Sequence, residues 1–190
     1  MDKGDSFNIL EDQIRECFGR VVYTHKAHEK MADMCGDRLS KCTGLQIFIT
    51  ALTSSGAVGV IVFEEWWLKI ATAVLSFVGL FLSTYMKNFD PGGVAQKHRD
   101  AAAKIWSVRE SYFSLLSDMR DLPLSDVRTK RDELQNQLAA IYEGAPQTNG
   151  KAYKLAQKAL KLNEELTFSA KEIDCFLPAP LKKAKPQGKS

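Results

Sequence analysis

From Cys42 to Met86 the chain is almost free of charge, broken only by Glu64, Glu65 and Lys69, and no other feature constrains its fold so strongly. Cys42 to Phe63 is a run of 22 uncharged residues. At a helical rise of ~1.5 Å per residue it reaches about 33 Å, enough for a hydrocarbon core of ~30 Å. Ile70 to Met86 adds 17 more; interfacial Trp66, Trp67 and Leu68, with a snorkelling Lys69, complete a second crossing. The segment between the runs, Glu64-Glu65-Trp66-Trp67, suits only a tight helical turn. The sequence therefore predicts a transmembrane hairpin over 42–86, with spans near 43–63 and 67–86. A buried helix pair in a larger soluble assembly is the alternative, and charge-free runs of this length with Trp at the turn argue against it.

The mean hydropathy is slightly negative only because this block is averaged with two highly charged flanks. The first apolar run begins behind a long charged segment, so a cleaved signal peptide is not expected, and neither end carries a myristoylation or prenylation signal. Four cysteines (Cys17, Cys35, Cys42, Cys175) without an N-glycosylation sequon read as free thiols in a reducing compartment. The net charge of +3 suits contact with anionic lipid; no basic and aromatic stripe for nucleic acid is present. Arg20, Lys26, Lys30, Arg38 and Lys41 precede the first span and Lys87, Lys97, Arg99 and Lys104 follow the second, against Lys69 alone in the turn, which predicts an inner-membrane protein with both termini cytoplasmic.

Projected at ~100° per residue, the first span shows a polar face of Gln46, Thr50, Thr53, Ala57 and Glu64 and a small-residue face of Ala51, Ser55 and Gly59. The small face allows close approach of a neighbouring helix. The second span carries Lys69, Thr72, Ser76, Gly79 and Ser83 on one side, with Phe77, Val78, Phe81 and Tyr85 directed to lipid. Two helices cannot enclose water, so the polar stripes are either the hairpin seam or, in an assembly of copies, a pore lining, with Glu64, Glu65 and Lys69 at its outer mouth. Serines and threonines in membrane helices also commonly bond back to their own backbone.

The flanks read as helices. Leu10, Ile14, Cys17, Val21, His25, His28, Ala32, Cys35 and Leu39 recur at spacings of four and three, a heptad seam on one helix over 6–41. Ala101, Ile105, Val108, Tyr112, Leu115, Met119 and Leu122 repeat the pattern after the membrane, within a helical bundle over 91–176. Pro91, Gly92 and Gly93 mark a hinge or helix restart. Pro123 marks the next break, with Ser125 as cap of a helix carrying Val127, Leu134, Leu138 and Ile141. Residues 143–150 form a loop, Leu155, Ala159, Leu162, Leu166 and Ile173 lie on one last helix, and 177–190 is a disordered basic tail. The fold class is thus an all-α membrane protein, a two-span hairpin with a cytoplasmic bundle of long amphipathic helices.

No phosphate loop, zinc spacing or nucleophile elbow is present, so no enzyme and no cofactor are expected. His25, His28 and His98 are a metal-binding candidate, with polar seam residues or solvated side chains as the plainer readings.

The run Val22-Tyr23-Thr24-His25-Lys26-Ala27-His28-Glu29-Lys30, the hairpin, and Lys97-His98-Arg99-Asp100-Ala101-Ala102 leading to Trp106 and Tyr112 together resemble the SLATT family. The resemblance covers most of the chain. It implies a two-transmembrane effector of prokaryotic antiviral defence that oligomerises and perforates or depolarises the membrane, causing cell death or arrest when a sensor or second-messenger-producing partner triggers it. The chain has no recognisable ligand-binding module, so the trigger is expected from a partner or from a pocket in the bundle. A membrane-anchored scaffold recruiting a soluble partner is the competing expectation.

Overall fold

A computed structural model describes residues 3–63 and 65–183. Among them every regular element is helical. Helix α1 (Lys3–Val62) runs unbroken for 60 residues, about 90 Å at the α-helical rise. α2 spans Trp66–Phe89, α3 Pro91–Asp118, α4 Leu124–Gly144, α5 Gly150–Lys161 and α6 Ala170–Phe176. Proline placement accounts for much of this division. None of the six prolines precedes Pro91, so α1 meets no residue that removes an N–H or clashes with the preceding turn, and the expected helix over 6–41 and the first span are one element.

Between α2 and α3 lies a single residue. Asp90 sits in the left-handed region (φ 35°, ψ 61°), ending α2 through its N–H to the Met86 carbonyl and starting α3 through its side chain, which accepts from the Gly93 N–H at 2.9 Å. A Cβ at Gly93 would run into that same carboxylate, so a larger residue there would displace the Asp90 side chain from its cap. The restart expected at Pro91, Gly92 and Gly93 is present, and all three lie inside α3.

α1 packs antiparallel against α2 and then α3 along one continuous seam, from Gly59 beside Leu68 through His28 beside His98. α4 returns antiparallel along α3, and α5 lies on α1. Leu10, Ile14, Cys17, Val21, Ile105, Val108, Tyr112, Leu115, Met119 and Val127 form the core where α1, α3 and α4 meet. Ala152, Ala156 and Ala159 are the buried face of α5, and Tyr153 stacks on Tyr23 of α1 at 5.7 Å.

Three expectations are corrected. α4 is capped by the backbone of Pro123, not by Ser125, whose hydroxyl lies 3.0 Å from the Asp126 carboxylate. The last helix is two helices: α5 stops at Lys161, Leu162 is exposed, and Glu164 and Leu166 take positive φ (53° and 71°). Ser169 and Glu172 then form a capping box that starts α6. The segment expected as a disordered tail includes a 3₁₀ turn at Ala179–Leu181; its residues from 184 onward lie outside the described residues.

Candidate functional site: the hairpin seam and the histidine layer

The most apolar stretches of α1 and of the helix beginning at Trp66 are long enough to cross a membrane and are only 6% and 0% buried within the chain. That excludes a core helix pair of a self-contained soluble fold. Phe77 and Phe81, 72% and 68% exposed, present the rings expected to face lipid. So much contiguous apolar surface is stable only against lipid or other protein.

Within the hairpin, Gln46 Nε2 donates to Ser83 Oγ at 2.7 Å, and Ser83 donates to the Gly79 carbonyl at 2.9 Å. Thr53 and Thr72 are half-buried in the same seam. The Thr53 hydroxyl is buried without a hydrogen-bond partner among the described residues. Gly79 faces Ile49, and Gly59 faces Leu68. The closest approach falls at Gly56, where an added Cβ would meet Thr72 Oγ1 at 2.5 Å. Thr50 and Ser76 are exposed on the outer surface, with Thr50 bonded back to the Gln46 carbonyl at 2.8 Å. Ala51 and Ser55 also point outward, Ser55 donating to the Ala51 carbonyl at 3.0 Å. Of the small-residue stripe, only Gly59 meets α2. Glu65 and Lys69 are exposed at the turn; Glu64 lies outside the described residues.

The second polar layer lies beyond the spans. His28 Nδ1 and His98 Nδ1 are 3.0 Å apart across α1 and α3, so one ring donates and the other accepts. His25 Nδ1 donates to the Ala102 carbonyl at 3.1 Å, and its ring lies 5.3 Å from that of Trp106. All three histidines are buried. Burial lowers their pKa values, most for His28, which falls to about 4 through burial first and then the neighbouring His98 and His25. The rings are thus neutral packing groups at pH 7. Among the described residues no three His, Cys, Asp or Glu side chains converge on a metal position.

Around this layer the buried Lys26 pairs with Glu29 at 2.7 Å and with Glu165 of the loop after α5 at 2.6 Å. Burial alone would lower the Lys26 pKa; the two carboxylates outweigh it and raise it. Lys26 in turn holds the Glu165 carboxyl below its usual range. A cleft of about 680 Å³ opens beside the layer, walled by His25, Lys26, Asp33, Arg99 and Trp106. Sequence reasoning missed Ile49, Gly56 and the Lys26–Glu165 pair. The first two carry a signal, because the four-three spacing continues from Leu39 through Cys42, Gln46, Ile49, Thr53, Gly56 and Val60. The ion pair depends on a loop path that no spacing reveals.

The architecture defines a class of all-helical proteins in which two candidate membrane helices are continuous with, or one residue away from, helices that pack outside them. The family described as SMODS and SLOG-associating 2TM effector domain family 4, of the SLATT group, matches residues 10–172, and the chain belongs to it. No curated protein and no solved structure matches the chain. It therefore carries a two-transmembrane effector domain of a defence-associated family.

Proposed function

We propose that this protein is a non-enzymatic membrane effector whose copies assemble in the inner membrane, with both termini cytoplasmic, and open a conducting path when a sensor partner engages the helical bundle. The observation that carries this reading is the seam of the hairpin: Gln46, Thr53, Thr72 and Ser83 are drawn in between two helices whose outer surfaces are mostly apolar, and the Thr53 hydroxyl has no partner among the described residues. An unsatisfied buried hydroxyl costs on the order of 1–3 kcal/mol, and a wet lumen removes that cost. Separation of α1 from α2 would turn these groups, together with Thr50 and Ser76, toward water shared between copies. The unbroken α1 supports transmission, because a rotation imposed on its soluble half reaches the membrane half without a joint. Opening of this kind needs two packings within a few kcal/mol of each other and a trigger that distinguishes them.

The test is inducible expression in bacteria with a membrane-potential dye and a growth readout, comparing wild type with a Thr53→Leu/Ser76→Leu variant at equal membrane levels. Depolarisation and arrest that the variant lacks are expected. Equal depolarisation by the inserted variant would refute the lining. Function that survives exchange of the whole hairpin for an unrelated one would replace this reading with an anchored scaffold.

A further inference from the structure

At the far end of the bundle a second polar site is built around Cys17. α1, α3 and α4 meet there about a cavity of roughly 280 Å³ lined by Cys17, Arg20, Tyr112, Gln135, Leu138 and Tyr142. Two donors converge on the sulfur: Arg20 Nη2 at 3.4 Å and Gln135 Nε2 at 3.6 Å. The Tyr112 and Tyr142 hydroxyls are further polar groups of the wall. Tyr112 is fully buried, and its oxygen has no hydrogen-bond partner among the described residues. Burial first, and then the neighbouring Cys17 sulfur, push its pKa up to about 12, so it keeps its proton and stays a donor beside a weakly accepting sulfur. Three donors thus surround one thiol, Arg20 from the exposed side and Tyr112 from the core. An oxygen atom placed on that sulfur would stand within the cavity and give them an acceptor.

We propose that Cys17 is a modification site for a small peroxide, which enters the cavity and converts the thiol to a sulfenic acid held by Tyr112, Gln135 and Arg20. The sulfur attacks one peroxide oxygen. The S–O bond forms as the O–O bond breaks, the sulfur gives up two electrons, and the departing hydroxide leaves as water with the thiol proton. The donors sit where negative charge develops on the oxygens during that transfer. The site joins three helices, so the added oxygen lands at the junction that fixes α4 on α1 and α3. The inference stands apart from the proposed conductance, since it rests on this cavity alone.

The test is made on the full chain in detergent micelles treated with dilute hydrogen peroxide and dimedone, with adduct formation followed at each cysteine peptide by mass spectrometry. Exposed Cys175 and half-buried Cys35 and Cys42 serve as internal standards. Cys17 is expected to form the sulfenate adduct fastest despite its burial. Tyr112→Phe, which removes only the hydroxyl, and Gln135→Leu are each expected to slow Cys17 about tenfold without changing Cys175, the size of effect that one charge-assisted hydrogen bond gives. If Tyr112 and Gln135 act only in packing, the variants loosen the core and raise Cys17 labelling instead. Either that result, or a wild-type Cys17 that reacts more slowly than Cys175, overturns the assignment.

Discussion

Acidification tests the histidine layer directly. His28 is held neutral across the α1–α3 interface with a pKa of about 4, against 6.5 for an ordinary imidazole. The unfolded chain therefore takes up the proton first. The stability contributed by neutral burial is complete above about pH 6.5 and is lost as pH falls from there toward 4. At ~1.4 kcal/mol per pH unit, His28 alone removes about 2 kcal/mol by pH 5 and about 3 kcal/mol near pH 4. His25 and His98 shift in the same direction and add to the loss. That is a large fraction of the ~5–15 kcal/mol that holds a typical domain together. The window from pH 7 to 5 is the informative one, because carboxylates in their usual range stay ionised there. A Trp66→Phe/Trp67→Phe background leaves Trp106, beside His25, as the sole tryptophan reporter. Denaturant unfolding in micelles, followed by its fluorescence, should show the midpoint falling steadily from pH 7 to 5. In His28→Gln/His98→Gln, which keeps donor and acceptor but cannot titrate, most of that fall should vanish. A midpoint that does not move, or that moves equally in the double variant, would refute the reasoning.

Three further outcomes follow from the packing. Gly56→Val should drive α1 from α2 at Thr72, and an interhelical crosslink between engineered cysteines flanking the seam should form several-fold more slowly. Gln46→Leu deprives Ser83 of its cross-helix partner and should lower hairpin stability by about 0.5–1.5 kcal/mol in unfolding measurements, with less loss if Ser83→Ala is made as well. Glu165→Ala releases the loop after α5 from Lys26, so hydrogen exchange over 162–169 should quicken while α3 stays protected.

Much of this was legible from spacing. The four-three recurrence picks out the buried residues of α1 from Leu10 to Ala32 except Lys26 and Ala27, with Cys35 and Leu39 half-buried, and the charge-free block identifies the apolar helices. The register of the hairpin was not legible from a straight-helix projection. At ~100° per residue Thr50 falls in line with Gln46 and Thr53, whereas a seam of period 3.5 selects Ile49 and Gly56 and leaves Thr50 outside. Gly56 contributes no apolar side chain to the count, so its place in the seam is invisible to hydropathy. The break after Lys161 was hidden because Leu162, Leu166 and Ile173 keep helical spacing while the backbone between them turns through positive φ at Glu164 and Leu166.

The absence of any interruption in α1 makes the interval between His28 and Gln46 a matter of phase as well as length. The 18 residues from one to the other are five full turns at ~3.6 residues each, which aligns the histidine layer and the Gln46–Ser83 bond on a single azimuth. One inserted residue would turn the membrane half by ~100° relative to the bundle and move the polar seam onto the lipid face. Seven would bring it back to within ~20°. The two layers behave as teeth on one shaft, and the chain tolerates lengthening there only in steps that return the shaft to the same angle.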